Sequence, residues 1–516
     1  MQLRARPSFI ALGFSLLALL FWMRGKYAQV IQFNSAHFHD GRRFSNATAL
    51  PARSTTVFEE HAPVATPTPD NPCSSRPFIP PALPYSEWLL RKNYTRVYLQ
   101  PNFMAPETNF EALEVIKQSF LPEFGFVHQG KDLSSRGDGD AQTPFKCPPL
   151  VDIKVAADGM VEHTDNILVG LATTMERLHD MLSSLIFSYG HTKASLLVLV
   201  PDDTKDIEVQ EAFFHDHGLD ITIKTSSLPF TARYFGLVKA FRAHIKKQRP
   251  GTRWVIFVDD DTFFPSLATI GNRLAKLDSS KRHYIGSPSE STQQVKVFGR
   301  FAFGGAGVII SKPLLEVLHG SYQECQDFKD HHGDQKLAHC VSTFGETNLT
   351  NWDTLYQIDM TGDMDGIFES GRRFDSLHHW RSWYHTDVVK MSAVAAAAGR
   401  GSVLRRWRFD EKVTEKNKRV FWVLTNGYSI VRYTLRANLP AEAVGFEYVE
   451  KTFRDDAEMF EDRLGPFRPK KQAGVKKERW MLSDSTMVAN NVHQLYTMKE
   501  GDHSTIELVW LGRTSN

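Results

Sequence analysis

Five apolar residues, Trp254-Val-Ile-Phe-Val258, run straight into three aspartates, Asp259-Asp260-Asp261. A run this short, rich in β-branched and aromatic residues, predicts a strand buried on both faces, with the acidic triplet at its solvent-facing end. Side chains alternate along a strand, so the three carboxylates cannot all point one way. One or two can grip a hard divalent cation while another reaches a hydroxyl or holds the loop. Like charges this close are costly unless a cation or donors offset them, which favours a metal-linked role over a solvated acidic turn.

The surroundings repeat the strand pattern. Residues 167–171 are a short apolar run. Thr173-Thr-Met-Glu176 follows as a capping box, then apolar residues at helical spacing from Met175 to Tyr189. Residues 195–200 form another run ending in Pro-Asp-Asp, and a helical stretch over 234–247 leads into Trp254. Strands alternating with helices predict an α/β unit whose mainly parallel sheet gathers ligands at the strands' carboxyl ends. This unit covers residues 161–392. An N-terminal extension over 91–160 precedes it, in which 109–120 reads as a short helix. Residues 393–402, AVAAAAGRGS, read as a linker or frayed helix. Residues 419–433 carry a hairpin signal around Asn426-Gly427, and 505–511 look like a strand, so 393–516 are predicted to form a β-rich module.

At the N-terminus residues 7–23 carry no charge, with Arg4 and Arg6 before them and Arg24 and Lys26 after. At about 1.5 Å per residue the stretch spans roughly 26 Å, near the core of an early secretory bilayer. A single uncleaved anchor over 1–23 is expected, with a cleaved signal peptide as the alternative; either places the bulk of the chain in the lumen. Nine of the 25 prolines fall in residues 51–84, which predicts a stalk over 24–90. Sequons at Asn46, Asn93 and Asn348 are consistent with that compartment. Sixty-one Lys and Arg against 59 Asp and Glu leave a charge of +2, too little for a protein that tracks nucleic acid. Four cysteines, none in a C-x-x-C pair, exclude a disulfide-built scaffold.

Three further segments carry candidate chemistry. Phe301-Ala-Phe-Gly304-Gly305-Ala306-Gly307 joins two apolar runs. Its small residues either let backbone amides approach a ligand or make an ordinary tight turn. Asp334, in His331-His-Gly-Asp334, is either a helix N-cap or a general base facing a cleft. Cys325 and Cys340 bracket it and could form a disulfide, leaving Cys73 and Cys147 for each other. His378-His379-Trp380, with Trp383 and Tyr384 nearby, joins imidazoles to aromatic surface. An imidazole in an oxygen-rich site shifts preference from magnesium toward manganese, and aromatic faces suit the apolar side of a sugar. One of the two histidines is expected to be a ligand.

Taken in order, ILVGLATTMERLHDM, WVIFVDDDTFF, HYIGSPSES, FAFGGAGVIIS, HGDQKLAHC and SLHHW resemble the fringe-like β1,3-glycosyltransferases across about residues 165–384. The resemblance implies an inverting enzyme of the A-type nucleotide-sugar fold, a Rossmann-like mixed sheet flanked by helices. It implies a type II membrane protein of the Golgi or endoplasmic reticulum, a UDP-sugar donor and a glycan or glycoprotein acceptor. Mn2+ or another divalent cation would lie on Asp260, Asp261 and His378 or His379. Thr173, Thr174 and Arg177, with Asp259, Asp260, Gly304, Gly305, Ala306 and Gly307, would contact the donor, and Asp334 would be the base. The sequence departs from the family at Ala172, where a basic residue is common, at Gly333, in place of the first acid of an Asp-Asp pair, and at Phe303, in place of a small polar residue. Two other readings stay open: a lumenal fringe-like sugar-binding protein that has lost turnover, and a phosphohydrolase.

Overall fold

The middle region's apolar runs become strands, and their order decides where the acidic triplet emerges. The computed structural model describes residues 93–106, 108–121, 126–128, 149–328, 333–410, 418–436, 438–498 and 504–512. The expected anchor and stalk, Asn46, Cys73, Cys147, His331 and His332 lie outside the described residues. Among the described residues no helix is long and apolar enough to cross a membrane.

Four strands open the described chain: β1 (Asn93–Met104), β2 (Glu114–Ile116), β3 (Val127–His128) and β4 (Leu150–Ala156). The expected helix over 109–120 is absent; its centre is β2. The central sheet follows, built from β5 (Ile167–Ala172), β6 (Ser195–Pro201), β7 (Ile221–Ser226), β8 (Trp254–Val258), β9 (Tyr284–Gly286), β10 (Val308–Ser311) and β11 (Leu349–Asn351). Its order is β11-β9-β10-β8-β5-β6-β7. Strands β8, β5, β6 and β7 run parallel, while β10 is antiparallel to both β8 and β9, so the sheet is mixed. Both faces are covered, as the unbroken apolar runs require. Ile167, Val169, Leu171, Ile256 and Val258 enter one apolar cluster, and Leu168, Val255 and Phe257 enter the other. The helix Phe230–Lys247 covers the second face with Phe235, Val238 and Phe241. Leu171 pairs with Val258, so the ends of β5 and β8 lie side by side and deliver Thr173 and the triplet to the same rim.

Two short strands, β12 (Leu355–Tyr356) and β13 (Ser376–Leu377), pair beyond the sheet and lead to the histidine pair. The remaining strands are β14 (Arg406–Asp410), β15 (Arg419–Thr425), β16 (Ser429–Leu435), β17 (Val449–Lys451), β18 (Phe467–Pro469), β19 (Val475–Val488), β20 (Asn491–Thr497) and β21 (Thr505–Trp510). The expected hairpin is present: β15 and β16 are antiparallel, with Thr425 opposite Ser429. The expected boundary between extension and C-terminal module dissolves. Strand β1 lies parallel to β21, with Tyr94 opposite Thr505, and β2 pairs with β14. Both ends of the described chain therefore share one ten-stranded sheet. Of the two readings of residues 393–402, the helix is found and the linker is not: Ala395–Ala398 is a short helix, and Val394, Ala397 and Ala398 are buried in that sheet's core.

Candidate active site

The three carboxylates separate in the turn that follows β8. Asp260 turns toward β5, where it accepts from Thr173 Oγ1 and from the Nε and Nη2 of Arg177. Its side chain is 6% exposed. A carboxylate receiving a guanidinium fork and a hydroxyl has little lone-pair capacity left for a cation. Asp260, expected on the metal and the nucleotide, instead anchors the turn after β5, and that duty also occupies Thr173 and Arg177. Thr174 is the N-cap of the helix Met175–Asp180, its Oγ1 accepting from Arg177 N at 3.3 Å. The capping residue is thus one position later than the sequence pattern predicts. Arg233 Nη1 reaches Thr173 O at 3.3 Å from the helix Phe230–Lys247.

Asp259 and Asp261 face the other way, toward the histidines. His378 Nε2 lies 2.9 Å from Asp261 Oδ1 and 3.5 Å from Asp259 Oδ2. His379 Nδ1 is 4.0 Å from Asp261 Oδ2, and its Nε2 is 3.3 Å from Asp359 Oδ1. His379 adopts φ +59 and stacks on Trp383 with centroids 4.0 Å apart. Ser382 Oγ donates to Asp261 Oδ2 at 2.9 Å. Burial works against the charge of His378, but Asp261 and Asp259 prevail and raise its pKa to about 9. Burial also opposes the charge of Asp261, yet His378 first, then His379 and Ser382, hold its carboxyl well below the usual range. One ligand atom each from Asp261, His378 and His379 lies within 4.8 Å of the others. One carboxylate with two imidazoles is a donor set that fits a borderline divalent cation such as Mn2+.

The glycine loop serves this cluster from behind. A Cβ on Gly305 would overlap the His378 ring, and one on Gly304 would stand 2.9 Å from Tyr234 Oη. The amides of Gly304 and Ala306, expected on a ligand, are occupied within the protein: Gly304 N donates to Asp334 Oδ2 at 2.6 Å and Ala306 N to Gln357 Oε1 at 2.9 Å. Gly305 O accepts from Thr262 Oγ1 and Ala306 O from Ser376 Oγ, while Gly307 takes φ +95 to close the turn. Small residues here let side chains approach.

Asp334 stands in the first turn of the helix Gly333–Cys340. Its Oδ1 accepts from Gln335 N at 2.7 Å. Burial pushes its carboxyl up to about 6, with the Gly304 and Gln335 amides opposing. The Cys325–Cys340 disulfide is formed, Cα to Cα 5.5 Å, and ties the far end of that helix. Sequence reasoning missed four contributors. Tyr234 places a buried hydroxyl, without a hydrogen-bond partner among the described residues, beside Asp334 and Asp259. Asp359 orients His379; Gln357 holds the glycine loop; Glu290 accepts from Gln357 N and Ile358 N, fixing the segment that carries both. Ile358 at φ +53 was beyond any local signal.

A family described as "Protein of unknown function, DUF604" matches residues 293–392. That stretch contains the glycine loop, Asp334 and the histidine pair. No curated protein matches the chain. Among solved structures, it is similar to the mannosyltransferase PcManGT from Pyrobaculum calidifontis, in complex with GDP-Man and Mn2+, at 12% identity over 42% of this chain and 63% of that one, TM-score 0.28. It thus spans less than two thirds of that protein. A glycosyltransferase involved in glycosylation of the major capsid of PBCV-1 is 12% identical over 42% of this chain and 96% of its own, TM-score 0.27. Mouse xyloside xylosyltransferase 1 is 13% identical over 36% and 84%, TM-score 0.24. Likenesses this slight carry no argument about the chemistry of this chain.

Proposed function

We propose that this protein transfers a sugar, with inversion, from a nucleotide diphosphate-sugar to a hydroxyl of a glycan or glycoprotein. The observation that carries the reading is the Asp261–His378–His379 group at the end of β8, with Asp334 and Tyr234 converging on Gly304 at the same rim. A divalent cation bound there would supply positive charge against the diphosphate as the anomeric C–O bond breaks. Asp261, His378 and His379 would hold that cation, with Ser382 orienting Asp261 and Asp359 orienting His379. Asp260, gripping Arg177 and Thr173, keeps the β5 turn against the triplet. Asp334 accepts the proton of the acceptor hydroxyl as its oxygen bonds to the anomeric carbon from the face opposite the diphosphate. One displacement inverts the configuration. The motif order over residues 165–384 supports a UDP-sugar donor and a β1,3 linkage. Residues 7–23 and their flanking charges support a type II anchor in the Golgi or endoplasmic reticulum, with the catalytic part lumenal.

The test is a screen of nucleotide sugars on the purified full chain, with and without manganese, scored by nucleotide release. Metal-dependent release lost in Asp261→Ala and Asp334→Asn is expected; release from none of them overturns the reading. One observation favours a second reading, a sugar-binding protein without turnover: both Asp334 oxygens already accept backbone amides. Sugar binding without donor hydrolysis would select it.

A further inference from the structure

We propose that the cleft of about 230 Å³ lined by Asp353, Thr354, Tyr356, Arg372, Arg373 and Arg463 binds a tetrahedral oxyanion, a phosphate or sulfate group, free or as a sugar ester. The proposal does not rest on the transfer reaction.

Three guanidiniums converge on this small space, and their charges are unequally compensated. Arg463 is spent: it lies 3.0 Å from a Glu290 oxygen and donates to the carbonyls of Pro288, Asp353 and Leu355. It contributes a rigid wall, its guanidinium 5.3 Å from the Tyr356 ring centre. Arg373 gives Nε to Asp375 Oδ1 at 2.9 Å and is otherwise 58% exposed, which leaves both Nη groups for a ligand. Asp375 is itself shared, since Arg273 Nη1 lies 2.5 Å from its other oxygen and Thr354 Oγ1 donates to the same atom. Arg372 donates Nη2 to Leu464 O at 3.0 Å and, among the described residues, has no carboxylate within ion-pair distance. Four guanidiniums, Arg273 included, therefore meet three carboxylates, Asp375, Glu290 and Asp353.

A guanidinium tied to neutral groups, here Leu464 O and the Tyr356 hydroxyl, and short of a counter-ion presents its remaining N–H groups in a fixed fork. That geometry matches two oxygens of a phosphate or sulfate. The adjacent Arg373 can complete the pair from the neighbouring position. Like charges crowded in a pocket favour an anion between them. Asp353, the carboxylate in the lining, makes no ion pair among the described residues, and it opposes the anion.

The experiment is isothermal titration of the full chain with sodium phosphate, sodium sulfate, glucose 6-phosphate and glucose 6-sulfate. Ionic strength is held constant with chloride, and EDTA keeps divalent cations from the acidic cluster. Saturable binding of one anion per chain is expected, weakened at least tenfold in Arg372→Gln and severalfold in Arg373→Gln, and tightened in Asp353→Asn. Tighter binding of the esters than of the inorganic anions identifies an esterified ligand, and equal binding a free one; both support the site. Should Arg372→Gln fail to fold, as read by its unfolding midpoint in chloride, the exposed Arg373→Gln decides alone. Absence of saturable binding to the unaltered chain overturns the proposal, as does unchanged affinity in the arginine variants that fold.

Discussion

Gly305 faces the imidazole of His378 so closely that a Cβ at that position would overlap the ring. The ring cannot swing aside, because its side chain is 4% exposed and its Nε2 is held 2.9 Å from Asp261 Oδ1. Gly305→Ala should cost about 1–3 kcal/mol through overpacking and draw His378 away from Asp261. Thermal unfolding should show a lower midpoint, and nucleotide release should need at least tenfold more manganese. A wild-type manganese response would detach His378 from the metal group.

Asp260 and Asp261 are neighbours with different duties. Asp260→Asn leaves Arg177 facing a neutral amide and should lower stability by about 1–3 kcal/mol without moving the half-maximal manganese concentration. Asp261→Ala should move that concentration severely. Equal manganese shifts in the two variants would return Asp260 to the metal group.

Asp334 sets a pH dependence. Its carboxyl is pushed up to about 6 by burial, so transfer should fall as pH drops below that value, approaching tenfold per unit. Unfolded, the same group titrates near its ordinary 3.8, so between the two values the folded chain binds more protons and loses stability as pH rises. Asp334→Asn removes the ionised form. It should abolish transfer and remove the loss of stability with rising pH between those two values, since an amide does not titrate. Retained transfer would remove Asp334 from the base role, whatever the stability shows.

The Cys325–Cys340 bridge closes a loop of 15 residues around the start of the Asp334 helix. Replacing both cysteines with alanine should cost about 2–4 kcal/mol and lower transfer, because the helix that carries Asp334 in its first turn loses the tie at its far end. Unfolding with and without reductant is the check. Identical midpoints for the unaltered chain would mean that the bridge contributes nothing.

Much of the frame was legible along the chain because it depends on neighbours. Residues 254–258 are predicted as a buried strand and form β8 with those ends; the helix expected over 234–247 begins four residues earlier, at Phe230. The hairpin around Asn426-Gly427 needs only its own turn chemistry. The segment over 109–120 went the other way. Its helical spacing is overridden because Glu114, Val115 and Ile116 pair with Trp407, Arg408 and Phe409 of a distant strand.

The apolar run of residues 254–258, a property of the chain itself, already placed the triplet at the end of a buried strand. It could not say with whom each would pair. Asp260 met Arg177, 83 residues before it, and Asp261 met His378 well over a hundred residues after it. Those partners, together with Tyr234, Asp359, Gln357 and Glu290, were decided by packing of the whole sheet. Hydrogen bonds and ion pairs act over a few ångströms, and only the fold brings such remote residues within that range.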